Sequence, residues 1–220
     1  MHQRIEISER KVLHMKSKVQ KIKENSRNNF DKQAISYDSA SYGEHARSLY
    51  DYVIQMTKQC WHESVLDVGC GTGKILYEIW KENDVSVSGI DISEEMVKMA
   101  IGRLGESADI RRGDSEHLPW HDNTFDVVLC TDSFHHYPRP EIVLAEMKRV
   151  LSDGGKIIIA DLWFPAPVRQ IANVIMPFTS SGDVCMYSEA SLKKLLNKCG
   201  LQCVKWNKID NNSFAALVSL

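Results

Sequence analysis

The sequence predicts an α/β fold built on a doubly wound, seven-stranded, mostly parallel sheet. Helices cover both faces, and an antiparallel hairpin closes the C-terminal edge. Three observations predict it. From residue 64 onward, short apolar runs alternate with helical patterns. Most of those runs are apolar throughout, as strands covered on both faces must be. The last two runs are separated only by Asp-Asn-Asn at 210–212, a hairpin-type turn. With 220 residues, 43% of them hydrophobic, the chain can bury one sizeable core.

Taken in order, residues 1–27 place Ile5, Val12, Met15, Val19 and Ile22 on one seam, with Ser8 the exception. That spacing predicts an amphipathic helix, read as a packing or lid helix rather than a membrane-surface one. SVLDVG (64–69) is a strand and KILYEIWKEN (74–83) a helix, with Ile75, Leu76 and Ile79 on one stripe. VSVSGID (85–91) is the next strand, followed by a helix that Ser93 opens and Glu94 and Glu95 favour in the first turn. ADIRRGD (108–114) is a polar strand and FDVVLCTD (125–132) an apolar one. EIVLAEMKRVL (141–151) has helical periodicity, and DGGKIIIAD (153–161) turns on two glycines before re-entering the sheet. SEASLKKLLNKCG (188–200) is a capped helix ended by Gly200. CVKWNKI (203–209) and SFAALVSL (213–220) form the hairpin. Two parts stand outside the alternation: residues 1–42, an N-terminal helical lid or appendage, and an apolar, proline-interrupted insertion at about 162–187 within the main domain, 43–220. Connections of that length usually serve function.

The net charge of −2 supplies no whole-chain attraction to nucleic acid or anionic membranes. It is unevenly spread: residues 1–32 carry a net +5 and the remainder −7. No stretch approaches the roughly 18 apolar residues of a membrane span. The start, MHQRIEISERK, lacks the apolar core of a secretory signal. The six cysteines show neither a CxxC pair nor a disulfide framework, so a reduced, cytoplasmic protein is expected.

The chemistry concentrates in VLDVGCGTGK (65–74), a glycine turn between a strand and a helix. A dinucleotide turn needs a third glycine where Lys74 stands. A P-loop needs glycine at Val68 and a hydroxyl at Ile75. Both patterns fail. What remains is a carboxylate, Asp67, inside the strand before Gly69, Gly71 and Gly73, pointing to the crevice at the strand ends. A carboxylate there disfavours a pyrophosphate and suits a cationic ligand group. Asp91 ends the next strand, where a carboxylate can accept from two ribose hydroxyls. Together they fit a nucleoside with a positively charged far end.

These residues resemble the class I S-adenosylmethionine-dependent methyltransferases, over roughly residues 30 to 220. VLDVGCGTG is similar to the family's first motif and GIDISEEM to its ribose-binding motif. GDSEHLPWHDNTFDVVLC resembles the adenine-side loop and fourth strand, and RVLSDGGKIIIAD the entry to strand five, with Asp153 in place of the usual proline. FDKQAISYD (30–38) resembles the segment before the core in the small-molecule, ubiquinone/menaquinone-biosynthesis-like branch. The resemblance implies a Rossmann-like fold, S-adenosyl-L-methionine as cofactor and S-adenosyl-L-homocysteine as product. It implies that Gly69, Gly71 and Gly73 approach the methionine portion, with Cys70 and Thr72 in the same loop, and that Asp67 organises the loop or the ligand amine. Asp91 would bind the ribose, with Ile92 and Met96 against the adenine; Asp114 would accept from the adenine amine, flanked by Gly113 and Ser115. Thr131 would face the methionine end and Tyr37 would close over the cofactor. As plain structure, Met96 would be helix core and Tyr37 ordinary packing.

On the acceptor side, SFHHYPRP (133–140) follows strand four. His136, or less favoured His135, is the candidate general base; the alternative is an imidazole hydrogen-bonded structurally. Adjacent histidines need not both face the cleft. No further His or Cys lies at metal-ligand spacing, so no metal site is expected. Thr131-Asp132-Ser133-Phe134 stands where many enzymes methylating exocyclic base nitrogens carry N-P-P-Y or D-P-P-Y. No cationic patch with interleaved aromatics marks the core. A small-molecule acceptor is therefore expected, without nucleic acid, in a monomer or homodimer. Its apolar pocket would be made by residues 162–187 and the N-terminal helix, with Trp163, Phe164, Ile175, Met176 and Phe178 in its lining, residues that would look the same as plain lid core. Two other readings stay open: a nucleoside-binding regulatory module without turnover, and a methyltransferase acting on RNA or protein.

Overall fold

A computed structural model describes residues 2–39, 44–60, 63–82 and 85–220, with residues 2–14 and 44–48 described by their helical backbone alone. The chain opens with helices α1 (His2–Gln33) and α2 (Glu44–Lys58). Strands and helices then alternate, except that β3 runs on to β4 without a helix: β1 (Ser64–Val68), α3 (Lys74–Glu82), β2 (Ser86–Asp91), α4 (Glu94–Leu104), β3 (Ala108–Arg112), β4 (Phe125–Thr131) and α5 (Pro140–Val150). The last third holds β5 (Leu151–Leu162), α6 (Val168–Ile175), α7 (Glu189–Lys198), β6 (Gln202–Lys208) and β7 (Ser213–Ser219).

All seven strands join one sheet in the order β3-β2-β1-β4-β5-β7-β6. β1 to β5 pair in parallel; β7 is antiparallel to both β5 and β6. The polar strand β3 forms one edge and the half-exposed β6 the other, while the apolar β7 sits inside. Alternating side chains divide the core in two, as the pleat requires. Leu66, Val68, Val128, Cys130, Ile157 and Ile159 pack with α5 and α7. Val65, Val127, Leu129, Ile158 and Ala160 pack with α2 and α3 on the other face. Burying both faces explains why these strands read as continuous apolar runs.

Local signals behave as their chemistry dictates. Ser93 Oγ accepts from Met96 N at the start of α4, and Ser188 and Ser191 form a capping box at α7. The two glycines at 154–155 do not break the chain before the strand. They lie within β5, where its register against β4 shifts, and a Cβ on Gly155 would come 2.8 Å from Asp126 O. Helix α1 continues past the expected residue 27 to Gln33. Its docked stripe includes half-buried Val19 and Ile22 and buried Ser26, whereas Met15 of the expected seam is 61% exposed. Ile5, Ser8 and Val12 fall among the side chains outside the description, as does the expected domain boundary at 42/43.

Candidate active site

β1 and β4 are neighbours, and the chain leaves β1 toward β2 on one side and β4 toward β5 on the other. At such a reversal the strand ends part to leave a crevice. The glycine turn occupies it. Gly69 and Cys70 both donate to Ile90 O, at 2.8 and 3.0 Å, which fastens the turn to the end of β2. Gly69 has φ +84°, and a Cβ there would lie 2.1 Å from Ser133 Oγ. Only glycine lets the turn after β4 come so close.

A cavity opens above this turn. Tyr37, Asp67, Gly69, Cys70, Gly71, Thr72 and Asp91 line it, together with Ile92, Met96, Gly113, Asp114, Ser115, Thr131 and His136. Two expected site residues stand elsewhere. Gly73 is outside the wall: a Cβ there would meet Ala100 Cβ at 2.9 Å, so its lack of a side chain serves the packing of α3 on α4. His135 is buried behind the wall.

The carboxylates are held in different ways. Asp91 Oδ2 accepts from Gly71 N at 2.9 Å and its Oδ1 from Ser93 N at 2.8 Å. Burial raises its pKa to about 6 despite those backbone donors. Asp67 is 2% exposed, and its Oδ1 has no hydrogen-bond partner among the described residues. Burial, then the charge of Asp91, raises its pKa to about 7. Asp114 at the end of β3 is engaged by a residue the sequence reading missed. Lys23 Nζ of α1 donates to Asp114 Oδ2 at 2.6 Å and lies 2.7 Å from buried Glu116 Oε2, which also pairs with Arg139. Thr72 Oγ1 donates to Asp38 Oδ1 at 2.9 Å, and Arg103 ties both residues together. Thr131 Oγ1 has no hydrogen bond among the described residues.

The adjacent histidines divide their roles. His135 Nδ1 lies 2.6 Å from Asp161 Oδ1, and its backbone N donates to Asp161 Oδ2 at 2.8 Å. Burial opposes charge on this imidazole, but the Asp161 carboxylate prevails and raises its pKa to about 9. Its placement corrects the expectation that it could serve as the base. The His136 ring lies in the cavity wall, edge-on to Phe30 at 5.1 Å. Burial, then the neighbouring His135 charge, lowers its pKa to about 4, so the ring is neutral at physiological pH.

The insertion departs most from expectation. None of Trp163, Phe164, Ile175, Met176 and Phe178 lines the cavity. Trp163 packs on the core beneath Lys208. Helix α6 turns its polar side inward: Asn173 bonds both the N and O of Met186, and Arg169 donates to Phe164 O. Ile171, Val174, Ile175 and Phe178 are left 55–84% exposed. Of the two expected contributors only α1 lines the cavity, through Lys23, Ser26 and Phe30; Tyr50, Ser133 and Tyr137 complete the wall. The Tyr137 hydroxyl meets Ser133 Oγ at 2.7 Å and donates to Val68 O at 3.1 Å. The basic stripe of α1 was the available signal for Lys23; nothing in the sequence assigned it a partner.

The donor set fits a ligand that is part nucleoside and part cation. Asp91 is oriented by two backbone amides, Asp67 carries an unbonded buried oxygen, and Met96 and Ile92 supply an apolar wall. Residues 66–159 match the family described as methyltransferase domain. The chain is 35% identical over 136 residues to the 27-O-demethylrifamycin SV methyltransferase of Amycolatopsis mediterranei, covering 59% of this chain and 50% of that protein. It is 35% identical over 102 residues to the norajmaline N-methyltransferase of Rauvolfia serpentina, covering 44% and 35%. The chain spans about half the length of the first curated relatives it matches. A SAM-dependent methyltransferase structure from Aquifex aeolicus superposes with a TM-score of 0.66 at 23% identity, covering 86% of this chain and 97% of that one, a likeness of fold.

Proposed function

We propose that this chain, whose core is a class I S-adenosylmethionine-dependent methyltransferase domain, moves a methyl group to a small-molecule acceptor by in-line displacement. The observation that carries the reading is the pair of carboxylates, buried Asp67 and half-buried Asp91, at the ends of adjacent strands in one cavity. When bound, S-adenosylmethionine supplies a methyl group already made electrophilic by its sulfonium. The chain has to hold, orient and shield. Asp91 takes the ribose hydroxyls with lone pairs its backbone donors leave over, and Asp67 faces the ligand's cationic end. Met96 and Ile92 flank the adenine, and Asp114, braced by Lys23, accepts from its amine. Helix α1 closes over the cleft as a lid, with Phe30 and Tyr37 excluding water.

The acceptor enters between Phe30 and the turn at 133–138. The neutral His136 ring is a weak base, so it hydrogen-bonds the acceptor rather than stripping a strongly held proton. The two relatives cited are named for small molecules, one for O- and one for N-methylation, which supports the acceptor class without fixing the atom. Among the described residues no helix is long and apolar enough to cross a membrane. All six cysteines are free, which suits the reducing cytoplasm, and we infer a monomer or homodimer that does not act on nucleic acid.

The test is thermal unfolding with S-adenosylhomocysteine, S-adenosylmethionine, NAD or ATP, each in large excess. At about 100 times its dissociation constant, a ligand stabilises by roughly 2.7 kcal/mol, a midpoint rise of roughly 5–10 °C here. A rise with the two adenosyl-sulfur ligands alone is expected, followed by label transfer from S-adenosylmethionine to a panel of hydroxyl and amine acceptors. A rise with NAD or ATP instead overturns the assignment. Binding without turnover on any acceptor would leave a nucleoside-binding module.

A further inference from the structure

Behind the cavity wall, two segments distant in sequence cross. Val184 N and Cys185 N both donate to His135 O, at 2.8 and 3.2 Å, so the stretch after Gly182 is seated on the turn that follows β4. The crossing brings three donor atoms together. Asp183 Oδ1 lies 3.1 Å from His136 Nδ1 and 3.7 Å from His135 Nε2, and all three atoms fall within 4.8 Å of one another. Donors each about 2.0–2.2 Å from one ion stand roughly 3–3.6 Å apart.

From this convergence we infer a binding site for one divalent transition-metal cation, with His135 Nε2, His136 Nδ1 and Asp183 Oδ1 as its protein ligands. Three further features support it. The other nitrogen of His135 is held by Asp161 at 2.6 Å, the carboxylate backing that orients metal-binding imidazoles. Asp161 is itself committed, accepting also from the N of His135 and of Leu162, so the ring cannot swing. His136 Nδ1 is buried and makes no hydrogen bond among the described residues, although a carboxylate oxygen is 3.1 Å away. A buried nitrogen left so is destabilising, a cost that a bound cation would offset.

Asp183 is oriented as well: Ser181 Oγ donates to its Oδ2 at 2.7 Å, leaving Oδ1 for the imidazoles. Its side chain is 28% exposed, which gives a cation a way in and water access to the remaining coordination positions. Two imidazoles and one carboxylate suit Zn²⁺, Co²⁺, Ni²⁺ or Fe²⁺, whereas Mg²⁺ and Ca²⁺ prefer all-oxygen sets. A metal here would staple the insertion to the turn whose His136 ring forms part of the cavity wall. The sequence could not suggest it, because Asp183 stands 47 residues beyond His136.

Full-length, tag-free protein, stripped with a chelator and dialysed, should be titrated with Zn²⁺ by calorimetry and with Co²⁺ by visible absorption. One high-affinity equivalent and Co²⁺ ligand-field bands are expected in the parent. Asp183→Asn and His136→Gln should each weaken Zn²⁺ at least tenfold and erase the bands, while His121→Gln, an exposed histidine elsewhere, should change neither. If Asp183→Asn fails to fold by circular dichroism, His136→Gln decides. No saturable binding in the parent, or equal binding in the variants, overturns the site and leaves the His135 imidazolium held between Asp161 and Asp183. Neither titration contains S-adenosylmethionine, so either outcome stands apart from the methyl-transfer reading.

Discussion

The two halves of the cleft handle buried charge in opposite ways. On the glycine-turn side, Asp67 is buried and Asp91 half-buried; they lie at the ends of paired strands, and the pKa of each is raised. Backbone amides orient Asp91, but neither acid has a cationic side chain within ion-pair distance among the described residues. On the histidine side, Asp161 is equally buried yet held below the usual carboxylate range: burial pushes it up, and the His135 imidazolium pushes it further down. The contrast teaches where each half expects its counter-charge. The histidine side brings its own; the glycine side is arranged for a charge that arrives with a ligand.

The largest effect is expected from Asp91→Ala. Two charge-assisted hydrogen bonds, each about 1.5–3 kcal/mol, would go. Affinity for S-adenosylhomocysteine should then fall roughly a hundred- to ten-thousandfold by calorimetry. Parent-like affinity would remove Asp91 from the ribose site.

A smaller effect concerns pH. An unfolded Asp67 releases its proton near pH 4, while the folded carboxyl holds it to about 7. Between those values the native state binds more protons than the unfolded chain, so stability should fall as pH rises through that window and level off above it. The loss over that window is on the order of 4 kcal/mol, with Asp91 adding to it in the same direction up to about pH 6. Urea midpoints at pH 5 and pH 8 measure this slope, and Asp67→Asn should flatten most of it. An unchanged slope in the variant would show that the carboxyl is not buried as described.

The smallest effect sharpens the comparison from outside the cleft. Phe178, 84% exposed, contributes nothing to the cavity wall. Phe178→Ser should shift stability by no more than about 0.5 kcal/mol and leave S-adenosylhomocysteine affinity unchanged. A loss of affinity would mean that the insertion closes over the cavity after all.

Legibility followed the same divide. The glycine turn, Asp67 and Asp91 sit where apolar strands hand over to turns, which hydropathy marks; Gly113–Ser115 follows a polar strand, and only the family resemblance pointed to it. The insertion was misread: its apolar residues suggested a pocket, but burial depends on which side of α6 docks, and Asn173 and Arg169 dock it polar side in. His135 and His136 could not be told apart from a dipeptide. Asp161, 25 residues beyond His136 in sequence, made the choice by hydrogen-bonding His135.

The sheet, its winding and the nucleoside-type turn follow from amino-acid order alone. Strand burial, helix periodicity and glycine's access to positive φ are local properties, written within a few residues of where they act. That Lys23 of α1 reaches Asp114, that Gly73 serves packing, and that Asp183 meets the two histidines emerges from long-range packing. Those outcomes depend on distances between segments far apart in the chain, set by how whole helices and strands settle against a shared core.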